Sequence, residues 1–378
     1  MRTYKKYFVV VVISVLAGCV KSYNPPVLKA GNNYLVVDGF INTGAGQVTT
    51  IILSRTRNLT DTVTSNPETG ASINIKGSDG SSYFLNTTGN GIYTSAALTL
   101  NTANTYQLQI TTSNGKQYSS AFVPCKQTPP IDSLRWEQRG DAIIYLTTHD
   151  PANNTLYYKW QYEETWQYYA QLQATYGVAN GLIYVSDSSN QTDSCWLSGL
   201  STNVLIGNST ALAQDVISDA KIATIPKDDE RIGVRYSILV KQYAISAEAY
   251  KYWQIIQKNS QERGGLFDLQ PAQLSANIFC DTDPTEPVVG FLSAASEQIS
   301  RIFIRNKELT DWTFNPIPGY DCPSAIIPGN PVDYRIYDYP DPTYWPWYFV
   351  TGGGIVITKK DCLDCRSHGG TNKRPVFW

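Results

Sequence analysis

The sequence predicts a mainly β protein made of two consecutive units. An N-terminal immunoglobulin-like β-sandwich is expected over residues 31–124. A larger β-sandwich-like domain is expected over residues 125–378, with an inserted helix and a coil-rich C-terminal tail. Three observations carry this. Short runs rich in Val, Ile, Thr and Tyr recur at even spacing, each closed by turn pairs such as Asp-Gly or Asn-Gly. Charged residues are only 16% of the chain while Tyr counts 26 and Trp 9, a usage suited to half-buried pleated surfaces. A stiff Pro129-Pro130 separates the two sets of runs.

The first residues read as a leader. Arg2, Lys5 and Lys6 precede an apolar run from Tyr7 to Leu16, of signal-peptide length and too short to span a bilayer as a mature helix. Leu16-Ala17-Gly18-Cys19 then resembles the bacterial lipobox, in which the leader is cut before the cysteine and the thiol carries lipid. Residues 1–18 are therefore read as a lipoprotein signal peptide and Cys19 as the lipidated residue. Residues 19–30 form a tether, extended by Pro25 and Pro26. The expected address is the cell envelope, with the membrane as a partner through the N-terminal lipid.

In the first unit, Ile73 and Ile75 alternate ahead of an Asp79-Gly80 turn, and Tyr83 and Leu85 return. Tyr106, Leu108 and Ile110 alternate ahead of Asn114-Gly115, and Tyr118 comes back. After the linker at Cys125 to Asp132, strands are expected at "SLRWE", "DAIIYLTTHDP" and "NTLYYKWQYEETW", with Trp160 in the core. Residues 167–229 read as long loops and edge strands with room for a short helix. "RYSILVKQYAI" is a strand. Ser246 caps a helix to about Asn259, whose Ala249, Trp253 and Ile256 form an apolar face. "SANIFC", "VVGFLSAAS" and "SRIFI" are further strands, and the rest reads as Pro- and aromatic-rich coil.

Composition excludes several chemistries. A formal charge of −2 without a basic stripe argues against nucleic acid as a partner. The only histidines are His149 and His368, and neither sits in a nucleophile motif. The adjacent Glu163 and Glu164 would point to opposite faces of a strand, so they cannot flank one glycosidic bond. Asp281, Asp283 and Glu286 lack calcium-loop spacing and read as a solvated turn. In "TGGGIVITKKD" no helix is expected to present amides to a phosphate. No cofactor or metal site is called for, and no catalytic residue is assigned.

Six cysteines follow Cys19: Cys125, Cys195, Cys280, Cys322, Cys362 and Cys365. An even number in an exported chain favours disulfides, with 15 connectivities left open. Cys362 and Cys365 form a C-x-x-C in the tail. A zinc clip with Cys322 and His368 is the competing reading, and a structural staple from Cys322 to either cysteine is preferred. The aromatic cluster Trp345-Pro346-Trp347-Tyr348 reads as a surface loop, which makes Trp345, Trp347 and Tyr348 the candidate ligand or partner contacts.

Tyr250, Trp253, the Gly264-Gly265-Leu266-Phe267 turn, Pro287 to Phe291, and the closing Gly369-Gly370-Thr371 with Pro375, Phe377 and Trp378 together resemble a family. It is the set of Bacteroidota lipoproteins grouped as domain of unknown function 4249. The resemblance implies an outer-membrane lipoprotein, thought of beside TonB-dependent receptors, and brings no catalytic residue. Val20-Lys21-Ser22-Tyr23 departs from the acidic residues that surface-displayed lipoproteins of that phylum often carry after the lipid. The expected function is thus non-enzymatic: a lipid-anchored binding or accessory component of an envelope uptake complex, with an outer-membrane receptor as partner. The alternative is a stand-alone carbohydrate- or peptide-binding module. A glycosidase-type enzyme is the third and least supported class.

Overall fold

The structure, a computed structural model, describes residues 33–57, 66–173, 175–179, 182–185, 192–261, 276–313, 321–328 and 343–378. Cys19, the leader and the Gly264 to Phe267 turn lie outside them. The N-terminal stretch holds β1 (Leu35–Gly39), β2 (Ile41–Asn42), β3 (Thr50–Arg55), β4 (Ser72–Gly77), β5 (Ser82–Gly89), β6 (Ile92–Ser95), β7 (Thr105–Thr111), β8 (Gln117–Ser120) and β9 (Val123–Lys126). Next come β10 (Ile131–Arg139), β11 (Asp141–His149), β12 (Tyr157–Tyr169), β13 (Tyr176–Ala179), β14 (Leu182–Val185), β15 (Ser194–Leu200), β16 (Leu205–Asn208), β17 (Val216–Ile225) and β18 (Arg235–Ala244). Helix α1 (Ala247–Gln261) follows, then β19 (Ile278–Cys280), β20 (Ala294–Ala295), β21 (Glu297–Arg305), β22 (Ser324–Ile327), β23 (Tyr344–Phe349), β24 (Ile355–Lys359) and a short α2 (Lys360–Leu363).

The protein is mainly β, in sandwich- or barrel-like sheets. Strand alternation builds the first core. Ile73 and Ile75 on β4 stand opposite Ile110 and Leu108 on β7, and all four point inward. Gly80 and Gly115 hold the expected hairpin tips at φ +88° and +84°, where a side chain would be strained. The sheet runs β1-β3-β6-β5-β4-β7-β9-β20-β2, with β8 on β7 and β19 on β8.

Two of those strands come from far downstream. β19 pairs antiparallel with β8, and β20 lies parallel between β9 and β2. Ile278, Cys280, Val288, Leu292 and Ala294 enter the first core beside Leu35 and Ile51. The division at 124/125 therefore omits part of the first unit. The physical reason is edge pairing: without β20, the main-chain donors and acceptors of β2 and β9 would face nothing.

In the second unit, β10-β11-β17 packs on β15-β12-β18-β21, with β16 beside β12. Ile144 and Leu146 from one sheet meet Trp160, Ile238 and Val240 from the other, and Trp160 is 3% exposed. The stretch 167–229 resolves into the end of β12, the β13-β14 hairpin and strands β15, β16 and β17, the last three at sheet edges. The linker is stitched down. Thr128 N–H donates to Ser296 Oγ at 2.9 Å, and Ala244 N–H donates to Thr128 Oγ1 at 3.0 Å.

Ser246 caps α1 by accepting the Ala249 N–H at 3.1 Å. The helix buries Ala249 and Tyr252 against Phe40 and Phe291 of the first unit and Tyr157 and Tyr243 of the second. The tail corrects the coil expectation: β22-β24-β23 is an antiparallel sheet. Disulfides Cys322–Cys362 and Cys195–Cys365 pin it, the second to β15 of the larger sandwich. Cys125 and Cys280, expected among the bridged set, are free thiols inside or against the first core.

Candidate functional site

The aromatic cluster is not a surface loop. Trp345, Trp347 and Tyr348 lie on β23, paired to β24 with a register shift between Pro346 and Tyr348. That shift accommodates the proline, which has no N–H to give the ladder. Trp345 is 9% exposed and packs with Leu363, Leu172 and Trp347. Trp347 Nε1 donates to the Gln173 carbonyl at 3.0 Å. Tyr348 is 41% exposed, and Trp347 beside it is half-buried. The three glycines Gly352, Gly353 and Gly354 form the β23–β24 turn, where Val350 N–H donates to the Gly354 carbonyl at 3.0 Å.

Other singled-out residues are engaged structurally. Both C-x-x-C sulfurs are in bridges, so no thiolate is left there for zinc. Among the described residues no group of three or more His, Cys, Asp or Glu is placed to hold a metal. His149 Nδ1 meets Asp132 Oδ2 at 2.7 Å on the surface, and that hydrogen bond raises the imidazole pKa. Glu163 pairs with Lys241, whereas Glu164 turns inward to Arg231 at 3.1 Å and Tyr236 Oη at 2.9 Å. Glu286 is no solvated turn residue. Its carboxylate is 7% exposed, pairs with Lys116 and accepts the Tyr118 hydroxyl at 2.8 Å, which fastens the returning segment to the first unit. Burial raises the Tyr118 pKa, with Glu286 adding to it.

Two apolar-walled cavities lie where the two units meet, and a polar one of about 500 Å³ lies at Arg55, Lys116 and Glu286 on the first unit. A cavity of about 370 Å³ opens between the end of β8, the start of α1 and the returning segment. Phe122, Val123, Ile245, Phe291 and Leu292 make its walls mostly apolar. Asn277 clips one wall: its amide donates to the Leu292 carbonyl at 2.9 Å and its oxygen accepts the Leu292 N–H at 2.8 Å. Lys126 and Glu248 put one charge of each sign along the lining, and hydrogen bonds at the helix start hold the Glu248 carboxyl below its ordinary pKa.

A smaller cavity lies on the other side of Ile245, lined by Asp38, Phe40, Lys159, Tyr243 and Trp253. The Lys159 ammonium sits 3.6 Å from the Trp253 ring centroid. Burial pushes its pKa down to about 8, and Asp38 opposes that shift. Sequence reasoning missed Lys159 and the junction. The available signal was a lysine in phase with neither the Tyr158-Trp160 core face nor a charged run. An apolar side of this kind can hold a ligand or a partner's side chain.

The sequence matches a family described as Domain of unknown function (DUF4249) over residues 20–301, which is most of the chain. That range includes β1 to β20 and both junction cavities. No curated protein matches the chain.

Proposed function

We propose that this chain, which belongs to the DUF4249 family, is a lipid-anchored envelope protein that acts by binding. In this reading it is an accessory component of an outer-membrane uptake complex of the TonB-dependent receptor type. The observation that carries the binding role is the apolar cavity of about 370 Å³ built jointly by both units. Two disulfides suit an oxidising envelope compartment. The leader ending in Cys19 suits a lipid anchor.

The test separates anchor from cavity. Cys19→Ala should move the protein from the membrane to the soluble fraction, and full membrane retention would refute the anchor. Ala121→Trp places an indole at the cavity mouth from an exposed position, so the fold should keep its melting temperature. Co-purification of an outer-membrane receptor from native envelopes should then fall about tenfold, the scale of a lost interface hot spot. Undiminished receptor capture by Ala121→Trp would remove the cavity from the account. Binding of oligosaccharide or peptide without any protein partner would favour a stand-alone module instead.

A further inference from the structure

One row of residues crosses the outer face of the β15-β12-β18-β21 sheet in register. Trp196 stands opposite Gln167, Gln167 opposite Arg235, and Arg235 opposite Arg305. Directly opposed residues share a face, and this one is turned away from the core that holds Tyr236 and Ile304. Like charges directly opposed on neighbouring strands destabilise a sheet when nothing lies between them. Arg374 brings a third guanidinium near Arg235, and burial together with Arg305 and Arg374 holds the Arg235 pKa below its ordinary value.

Glu308 offsets part of the charge at Arg235 without pairing to it. Among the described residues Arg235, Arg305 and Arg374 form no ion pair with Asp or Glu. Glu308 is the adjacent acid, and its carboxylate accepts the main-chain N–H of Arg305 at 2.9 Å. Arg374 donates to the main-chain oxygen of Trp378 at 2.5 Å. Two donors of the row also lack acceptors: Arg235 Nε and Trp196 Nε1 are both buried without a hydrogen-bond partner. They flank Trp378. Its ring lies 6.3 Å from Trp196 and 5.0 Å from the Arg235 guanidinium, which also sits 4.2 Å from Phe303. Arg235 is thus a guanidinium that is stacked on both faces and unpaired with any carboxylate.

We propose that this row binds a phosphate-type oxyanion between Arg235 and Arg305, beside the aromatic wall of Trp378 and Phe303. Guanidinium forks match the oxygens of a phosphate in a way a lysine does not. Arg305 is exposed and makes the first contact, and the Arg235 guanidinium, held between Phe303 and Trp378, makes the second.

The test titrates inorganic phosphate into the full chain in detergent by calorimetry, with chloride at matched ionic strength as control. Phosphate should bind and raise the melting temperature. Arg305→Gln should weaken that binding about tenfold and abolish the thermal shift. Without phosphate, Arg305→Gln should be at least as stable as the parent, because it removes like-charge opposition. A second arm uses the Cys19→Ala chain with phosphatidylglycerol and phosphatidylcholine vesicles. Arg305-dependent capture by phosphatidylglycerol alone, with no response to inorganic phosphate, assigns the oxyanion to a lipid headgroup. Saturation by inorganic phosphate assigns it to a free anion. The proposal is overturned if phosphate acts no differently from chloride and the two lipids behave alike. It is also overturned if Arg305→Gln and Arg235→Gln both leave binding unchanged.

Discussion

Gln242 shows how much one buried amide can organise. It is fully buried, accepts the Trp160 Nε1 proton at 2.8 Å, and donates to the Pro129 carbonyl at 2.8 Å and to Thr148 Oγ1 at 2.9 Å. One side chain thus joins β18, β12, β11 and the linker. Gln242→Leu keeps the volume but orphans the indole N–H and the Pro129 carbonyl, at a cost of about 2–4 kcal/mol. Chemical denaturation should show this as a lowered midpoint with an unchanged slope, and a loss under 1 kcal/mol would mean water replaces the amide. Lys159 has the opposite character. Its pKa of about 8 in the fold lies below the ordinary 10.5, so the native state holds fewer protons between those values and stability should rise with pH across that window. The Trp253 ring favours the charged form and trims the effect. Lys159→Met should therefore stabilise the protein at pH 7 by about 1–2 kcal/mol, with the advantage fading towards pH 10. A pH-independent difference would place the ammonium in solvent. Neither set of partners shows in the sequence, because Gln242 finds Thr148 and Lys159 finds Trp253 only across the fold.

Elements were legible where periodicity and packing agree. β12 reads from Tyr158 and Trp160 because one sheet face is apolar and the other polar. α1 reads from Ser246 and the Ala249-Trp253 spacing, and its cap is as expected. β23 was hidden by its own chemistry: Pro346 argues against a strand, and only the register shift beside it makes pairing with β24 feasible. The tail sheet is small, and its cross-link does what its core cannot. Cys322–Cys362 closes a separation of 40 residues, worth about 4 kcal/mol on chain-entropy grounds. The double replacement Cys322→Ser with Cys362→Ser should loosen β22-β24-β23 and expose Lys359 and Lys360 to trypsin under native conditions. Parent-like resistance would show that Trp345, Leu363 and Ile357 hold the sheet unaided. The pairing itself could not be read from spacing, since both members of the C-x-x-C were equally placed in the chain.

At the scale of the molecule, the two units are interlocked and not merely joined. The chain leaves the first unit at β9, builds most of the second, and returns with β19 and β20 to finish the first. Val37 N–H donates to the Val289 carbonyl at 2.8 Å, and Val289 N–H donates to the Leu35 carbonyl at 2.9 Å, so the return also clamps β1. The sequence shows strands at 278–295 but not their partners, because alternation names a buried face and leaves the neighbour open. The same return lines both cavities at the junction, so the binding role and the interlock depend on one segment. The central claim is that the first unit is incomplete without it. The direct measurement is the amide spectrum of residues 31–126 expressed alone, beside the same fragment supplied with residues 276–296 through a flexible linker. The account predicts a collapsed, poorly dispersed spectrum for the short fragment and a dispersed one for the extended fragment. A well-dispersed, cooperatively melting 31–126 would contradict it.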